Sequence, residues 1–129
     1  MKRIILLGPI LFAVVLAALT LVKYVFLRGL GWHPINDPTF DWPSGLALGK
    51  YGWIMTATFI ASGLLMTLFA ARLFLDLEPA RTSQIGCALL AFAGLALASL
   101  AFTTDPTIRT TPATWHGRLH DLSFVLLGL

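Results

Sequence analysis

Four side chains that can act as acids, bases or metal ligands lie close together near the carboxyl end of the sequence. They are Asp105, His116, His120 and Asp121. If the chain is helical from residue 112 onward, His116, His120 and Ser123 share one helix face. Two imidazoles one turn apart can bind one ion, and a helix start favours the neutral imidazole that ligates. The spacing predicts a divalent metal site, for example for zinc, with Asp105 as the third ligand and Asp121 as its alternative.

The same residues have a simpler interpretation, which the sequence leaves open. Histidines at a membrane interface often form hydrogen bonds with headgroups, water or neighbouring backbone, and Asp105-Pro106 is also typical of a plain turn. Haem is disfavoured because two histidines on one helix cannot bind opposite faces of the same macrocycle. The sequence has no Walker loop, no Gly-x-Ser-x-Gly and no Cys-x-x-Cys motif, and its single cysteine, Cys87, lies in an apolar run.

The elements that position these residues follow from the composition, which is that of an integral membrane protein. Apolar residues make up 57% of the 129 residues and charged residues 12%, whereas soluble domains average roughly 45–50% and about 25%. So few charges cannot cover the surface of a soluble fold of this size. The positive charges flank apolar runs and form no cluster, so the lipid bilayer is the predicted partner and nucleic acid is not.

Three apolar runs are long enough to cross a bilayer, whose core needs about 20 residues per helix. The sequence predicts an all-α polytopic transmembrane helix bundle, one domain over 1–129, with helices at about 4–27, 51–75, 84–103 and 112–129. Because the fourth run is too short to cross, we expect three complete spans, the start of a fourth and missing helices beyond Leu129. A cleaved signal peptide is the alternative for the first run, which is longer than the usual apolar segment of about 7–15 residues.

The connections between the predicted helices differ in length and polarity. Prolines and glycines in residues 28–50 predict an irregular loop. Aromatic residues bracket this loop and favour a position against the lipid headgroups: Trp32, Trp42, Tyr51 and Trp53. Residues 76–83 predict a short charged turn between antiparallel neighbours. The basic start favours an amino end inside the cell, which places 28–50 and 103–115 on the extracytoplasmic side.

Small and hydroxylated residues indicate how the predicted helices pack. Gly94 and Ala98 lie four residues apart in the third helix, and small residues at this spacing let helix backbones approach closely in lipid. The third helix is therefore predicted to be central. In the second helix, three hydroxyl side chains are predicted to donate hydrogen bonds to other helices: Thr56, Ser62 and Thr67.

Two groups of residues follow one another in the order and spacing of a known family. The first is Gly49-Lys50-Tyr51-Gly52-Trp53, leading into Phe59 and Gly63. The second is Phe102-Thr-Thr-Asp105-Pro106, followed by Thr114-Trp-His116-Gly117-Arg-Leu-His120. Over nearly its whole length the chain resembles the prokaryotic multi-helix membrane proteins grouped as domain of unknown function (DUF) 998. The resemblance implies a bundle of about six helices in which Asp105, His116 and His120 match the family's polar motif positions, and it implies no particular activity.

Two functional classes follow from these observations. The favoured one is an uncharacterised multi-pass protein of the cell membrane that acts as a non-enzymatic component or binds lipid or a small molecule. The alternative is a metal-dependent, hydrolase-like membrane enzyme with its site at the extracytoplasmic end of the third and fourth helices. In both classes we expect helix–helix association with missing C-terminal helices or with other membrane proteins.

Overall fold

The computed structural model describes residues 7–33, 35, 42–78, 80–105 and 112–128. In this part of the chain every secondary-structure element is a helix: α1 (Leu7–Val22), α2 (Tyr24–Gly29), α3 (Trp42–Gly45), α4 (Gly52–Asp76), α5 (Arg81–Ser99) and α6 (Trp115–Leu127). The predicted all-α class is confirmed. By length and composition α4, with 25 residues, and α5, with 19, can cross a membrane.

Helices α1 and α2 form a nearly continuous rod, which the sequence predicted as one helix over 4–27. Lys23 separates them, yet Lys23 N donates to Leu19 O at 2.8 Å and Leu27 N donates to Lys23 O at 2.9 Å. Both bonds keep the spacing of an α-helix. Alone, α1 has 16 residues and spans about 24 Å, less than the ~30 Å of a hydrocarbon core. Together the two helices run from Leu7 to Gly29.

Helices α4 and α5 pack in antiparallel fashion across the largest helix interface in the described residues. Their backbones meet at two glycines. A Cβ atom on Gly63 would lie 2.5 Å from both Gly94 O and Ala98 N, and one on Gly94 would lie 2.8 Å from Gly63 O. Only residues without a side chain allow so close an approach. The predicted packing role of Gly94 and Ala98 is therefore confirmed.

The hydroxyl side chains of α4 divide between two kinds of hydrogen bond. Ser62 Oγ donates to Gly8 O of α1 at 3.4 Å, which is the predicted interhelical contact. Thr67 Oγ1 lies 2.9 Å from Gly63 O in its own helix and 3.4 Å from Ala91 O of α5. The prediction is wrong for Thr56, whose Oγ1 donates at 3.3 Å to a carbonyl of α4 itself, because a helical threonine reaches the preceding turn.

Part of the stretch 28–50 is folded into the bundle, so the prediction of an irregular loop against the headgroups is wrong there. Helix α3 lies within it, and Ser44 and Leu46 are buried. Lys23 Nζ donates to Leu46 O at 2.7 Å and also to Leu48 O. We call residues 42–50 the docked segment. The buried apolar core lies at this end of the bundle and is formed by Leu19, Leu27, Trp32, Leu46, Met55, Phe59 and Leu100.

The aromatic residues that bracket the stretch are divided between core and surface. Trp32 is only 8% exposed, and its ring stacks on that of Trp42 with centroids 5.7 Å apart. Trp42 Nε1 donates to Thr20 Oγ1 of α1 at 2.9 Å. The prediction that Trp32 lies against the headgroups is therefore wrong, because its side chain packs in the core. Trp53 and Tyr51 stay exposed, at 71% and 45%.

The turn between the docked segment and α4 has an unusual backbone. Gly49 and Tyr51 have φ values of 65° and 66°, in the left-handed region. This conformation suits glycine, whereas for tyrosine it costs about 1–2 kcal/mol. A Cβ atom on Gly52 would lie 2.1 Å from Ala47 O, so the start of α4 lies directly against the docked segment. The Gly-Lys-Tyr-Gly motif thus fixes how this segment enters α4.

Candidate functional site

The amino end of α6 is fixed by a threonine cap that is itself held by an aspartate. Thr114 has an extended backbone, and its Oγ1 accepts a hydrogen bond from Gly117 N at 3.1 Å. Asp105 Oδ2 accepts from Thr114 N at 2.8 Å, and Asp105 Oδ1 accepts from Thr114 Oγ1 at 2.7 Å. The helix begins at Trp115 and not at residue 112, because this long-range pair selects Thr114 as the cap.

Gly117 is part of the same arrangement. A Cβ atom at this position would lie 2.2 Å from Asp105 Oδ2. The carboxylate therefore lies over the first turn of α6, where a negative charge is favourable. Both oxygens of Asp105 contribute to capping the helix, which is a structural use of this residue.

His116 lies next to the cap and is half-buried. Its Nδ1 is 2.8 Å from Thr103 O and 3.0 Å from Thr114 Oγ1. A carbonyl oxygen can only accept, so we assign the ring proton to Nδ1. In the neutral ring, Nε2 is then the nitrogen left for a ligand.

His120, one turn further along α6, is almost completely buried, with 3% of its surface exposed. Its Nδ1 lies 2.6 Å from Phe102 O and 3.1 Å from Leu100 O, at the carboxyl end of α5. These carbonyls again place the ring proton on Nδ1. Nε2 lies 2.7 Å from Ser44 Oγ, so in the neutral ring it accepts a hydrogen bond from this hydroxyl. The imidazole thus joins α5, α6 and the docked segment.

The predicted face of α6 is present, but the four predicted residues do not form one cluster. His120 and Ser123 are buried and His116 is half-buried, whereas Asp121 is exposed. Ser123 Oγ donates to Leu119 O within the helix at 2.7 Å. Across residues 7–33, 35, 42–78, 80–105 and 112–128, no group of three or more His, Cys, Asp or Glu is arranged to hold a metal ion. Asp105 and His116 both contact Thr114 Oγ1.

The metal interpretation of His116, His120 and Asp105 stays a prediction with a direct test. If these residues bind a metal, protein purified without a histidine tag should contain about one zinc ion per chain. His116→Ala and His120→Ala should each remove the metal, while His33→Ala should retain it. Elemental analysis makes the measurement, and a wild-type protein without stoichiometric metal would contradict the interpretation.

Two residues at this end of the bundle were not singled out from the sequence. Ser44 lies in the predicted loop, and Lys23 is one of the positive charges that flank apolar runs. Lys23 is 5% exposed, and Ser44 is 6% exposed. The available signal for Lys23 was its place between two apolar stretches, because a charge there needs a partner. Nothing in the sequence around Ser44 indicated its contact with His120.

These observations define a class of protein: a helical chain with two helices able to cross a membrane, in which Asp105, His116 and His120 are hydrogen-bonded within the protein. Comparison with protein families gives the next step. Residues 7–129 match the family described as protein of unknown function, DUF998, and the chain belongs to this family. The resemblance identified from the sequence is thereby confirmed. No curated protein and no solved structure matches the sequence.

Proposed function

We propose that this chain is a multi-pass protein of the cell membrane that acts as a non-enzymatic component and binds lipid. The observation that carries the proposal is the apolar outer surface of the helices. Leu21, Val25 and Leu75 are 79%, 82% and 72% exposed. Large contiguous apolar surfaces are rare in soluble monomers and mark contact with lipid or another protein.

The number of spans is part of the proposal. Helices α4 and α5 satisfy the length and composition of a span by themselves. The rod formed by α1 and α2 supplies a third, because its 23 residues from Leu7 to Gly29 extend about 35 Å. Helix α6 would belong to a fourth, and a bundle of about six helices is what the family resemblance implies. Each additional span buries its backbone groups in helical hydrogen bonds, as a bilayer requires.

The polar groups at the end of the bundle support a non-enzymatic role. Asp105 caps α6, and His120 has hydrogen-bond partners at both ring nitrogens. Ser44 and His120 have the contact of a nucleophile and a base, but a substrate needs access to the nucleophilic oxygen. Ser44 is only 6% exposed. The contacts are those of a network that holds α5, α6 and the docked segment together.

Cysteine labelling tests the proposed topology. Single cysteines at Arg28, Thr82 and Pro112, all exposed, are introduced into a Cys87→Ala background. With a membrane-impermeant maleimide added to intact cells, we expect labelling at positions 28 and 112 and none at 82. Position 82 should label once the membrane is permeabilised, because the turn between α4 and α5 is proposed to be cytoplasmic.

The possible failures of this experiment are distinct. Labelling at position 82 alone in intact cells would show that the orientation is the opposite of the proposed one. Labelling of only one of positions 28 and 112 in intact cells would place them on opposite sides of the membrane. The number of spans between them would then be odd, in contradiction of the proposed topology. Labelling of all three positions in intact cells would contradict the membrane-spanning proposal itself.

A further inference from the structure

A cavity beside the α1–α2 junction combines lipid-facing walls with positive charge. It has a volume of about 290 Å³ and is lined by Val22, Lys23, Val25, Phe26, Lys50 and Tyr51.

 The cavity lies where α1 meets α2 and where α4 begins. Val22 and Val25 are 71% and 82% exposed, so one side of the cavity is continuous with the apolar outer surface.

Two lysine side chains contribute the charge. Lys23 is buried, and its Nζ donates to the carbonyls of Leu46 and Leu48 while lying 4.8 Å from the centre of the Phe26 ring. An ammonium group has three N–H donors, so these two bonds leave one donor for a ligand. Lys50 is exposed, and its Nζ lies 5.0 Å from the centre of the Tyr51 ring.

Among the described residues, no carboxylate lies within ion-pair distance of Lys23 or Lys50, and the ion pair between Arg72 and Asp76 is at the far end of α4. No acidic residue is among the described residues that line the cavity. Charged residues close to a membrane core are costly and mark functional sites, and they pair with opposite charges or with backbone carbonyls. The carbonyl partners of Lys23 carry no net charge, so both lysines leave positive charge at the cavity for an anionic ligand.

We propose that this cavity binds the anionic headgroup of a membrane phospholipid. The lipid phosphate accepts hydrogen bonds from Lys23 and Lys50, and the acyl chains lie along the apolar surface at Val22 and Val25. The positive charges select an anionic lipid over a zwitterionic one, because only the former brings a net negative charge to the two ammonium groups. The inference rests on the proposed membrane function and specifies the ligand class.

The test compares lipid binding by two charge variants of the full chain. Wild type, Lys50→Gln and Arg28→Gln are purified in a neutral detergent, and their binding of phosphatidylglycerol and phosphatidylcholine is measured by native mass spectrometry. Arg28 is the matched control, because it is an exposed cation on α2 that does not line the cavity. We expect wild type to prefer phosphatidylglycerol, Lys50→Gln to lose about fivefold in affinity for it, and Arg28→Gln to retain wild-type affinity.

A second lysine variant and a competition with inorganic phosphate complete the experiment. Lys23→Met should also weaken phosphatidylglycerol binding, and circular dichroism checks that this buried variant folds; if it does not, Lys50→Gln still decides. Equal losses in Lys50→Gln and Arg28→Gln would overturn the proposal in favour of general surface attraction. Displacement of the lipid by millimolar inorganic phosphate would overturn it in favour of a free-phosphate site. If cysteine labelling gives the proposed topology while Lys50→Gln binds like wild type, the lipid site alone fails.

Discussion

Replacing His120 with leucine is expected to lower the free energy of unfolding by about 3–5 kcal/mol. Leucine keeps much of the side-chain volume but leaves Ser44 Oγ, Phe102 O and Leu100 O without the partner they have in the native protein. Each buried polar group that loses its partner costs about 1–3 kcal/mol. Equilibrium unfolding in mixed micelles, followed by circular dichroism, measures the loss.

His116→Leu is the matched control for this experiment. His116 is half-buried and contacts one backbone carbonyl, Thr103 O, so its replacement should cost about 1 kcal/mol. Both variants are measured with a chelator present, so that any bound metal does not contribute. Equal losses for the two variants would contradict the role assigned to His120 in joining α5, α6 and the docked segment.

The second large effect is expected at the crossing of α4 and α5. Gly94→Ala should destabilise the protein by about 2–3 kcal/mol, the upper part of the range of about 1–3 kcal/mol for adding a carbon to a filled core. The new Cβ atom would lie 2.5 Å from Thr67 Oγ1 and 2.8 Å from both Thr67 N and Gly63 O. Two of these are backbone atoms, so the clash is relieved only if the helices move apart.

Gly86→Ala provides a control of opposite sign on the same helix. A Cβ atom built at Gly86 has no described heavy atom within 4 Å apart from its chain neighbours and the backbone of its own helix. Alanine favours a helix over glycine by about 1 kcal/mol, so this variant should be as stable as wild type or more stable. The same unfolding assay compares the two. Destabilisation of Gly86→Ala to the extent of Gly94→Ala would contradict the close helix crossing.

The parts of the fold that could be predicted depend on local sequence properties. Apolar runs predict helices, and the spacing of Gly94 and Ala98 predicts the close face of α5, because both signals lie within one element. The shared face of His116 and His120 follows from helical periodicity in the same way.

The parts that could not be predicted depend on where the irregular stretch 28–50 runs. Its prolines and glycines remove the periodicity that would indicate a buried face. Lys23 contacts carbonyls 23 and 25 residues away, and His120 contacts a hydroxyl 76 residues away. The start of α6 was misplaced for a related reason, because Asp105, nine residues before Thr114, selects the cap.

The docked segment has a consequence for the order in which the protein assembles. Helices in a membrane can form individually before they pack, whereas α3 has four residues and no stability of its own. The docked segment is hydrogen-bonded to Thr20 and Lys23 on one side and to His120 on the other. These partners are in place only after the long helices have come together. Docking of residues 42–50 is therefore a late step of assembly. The Trp32–Trp42 stack forms only once this step is complete.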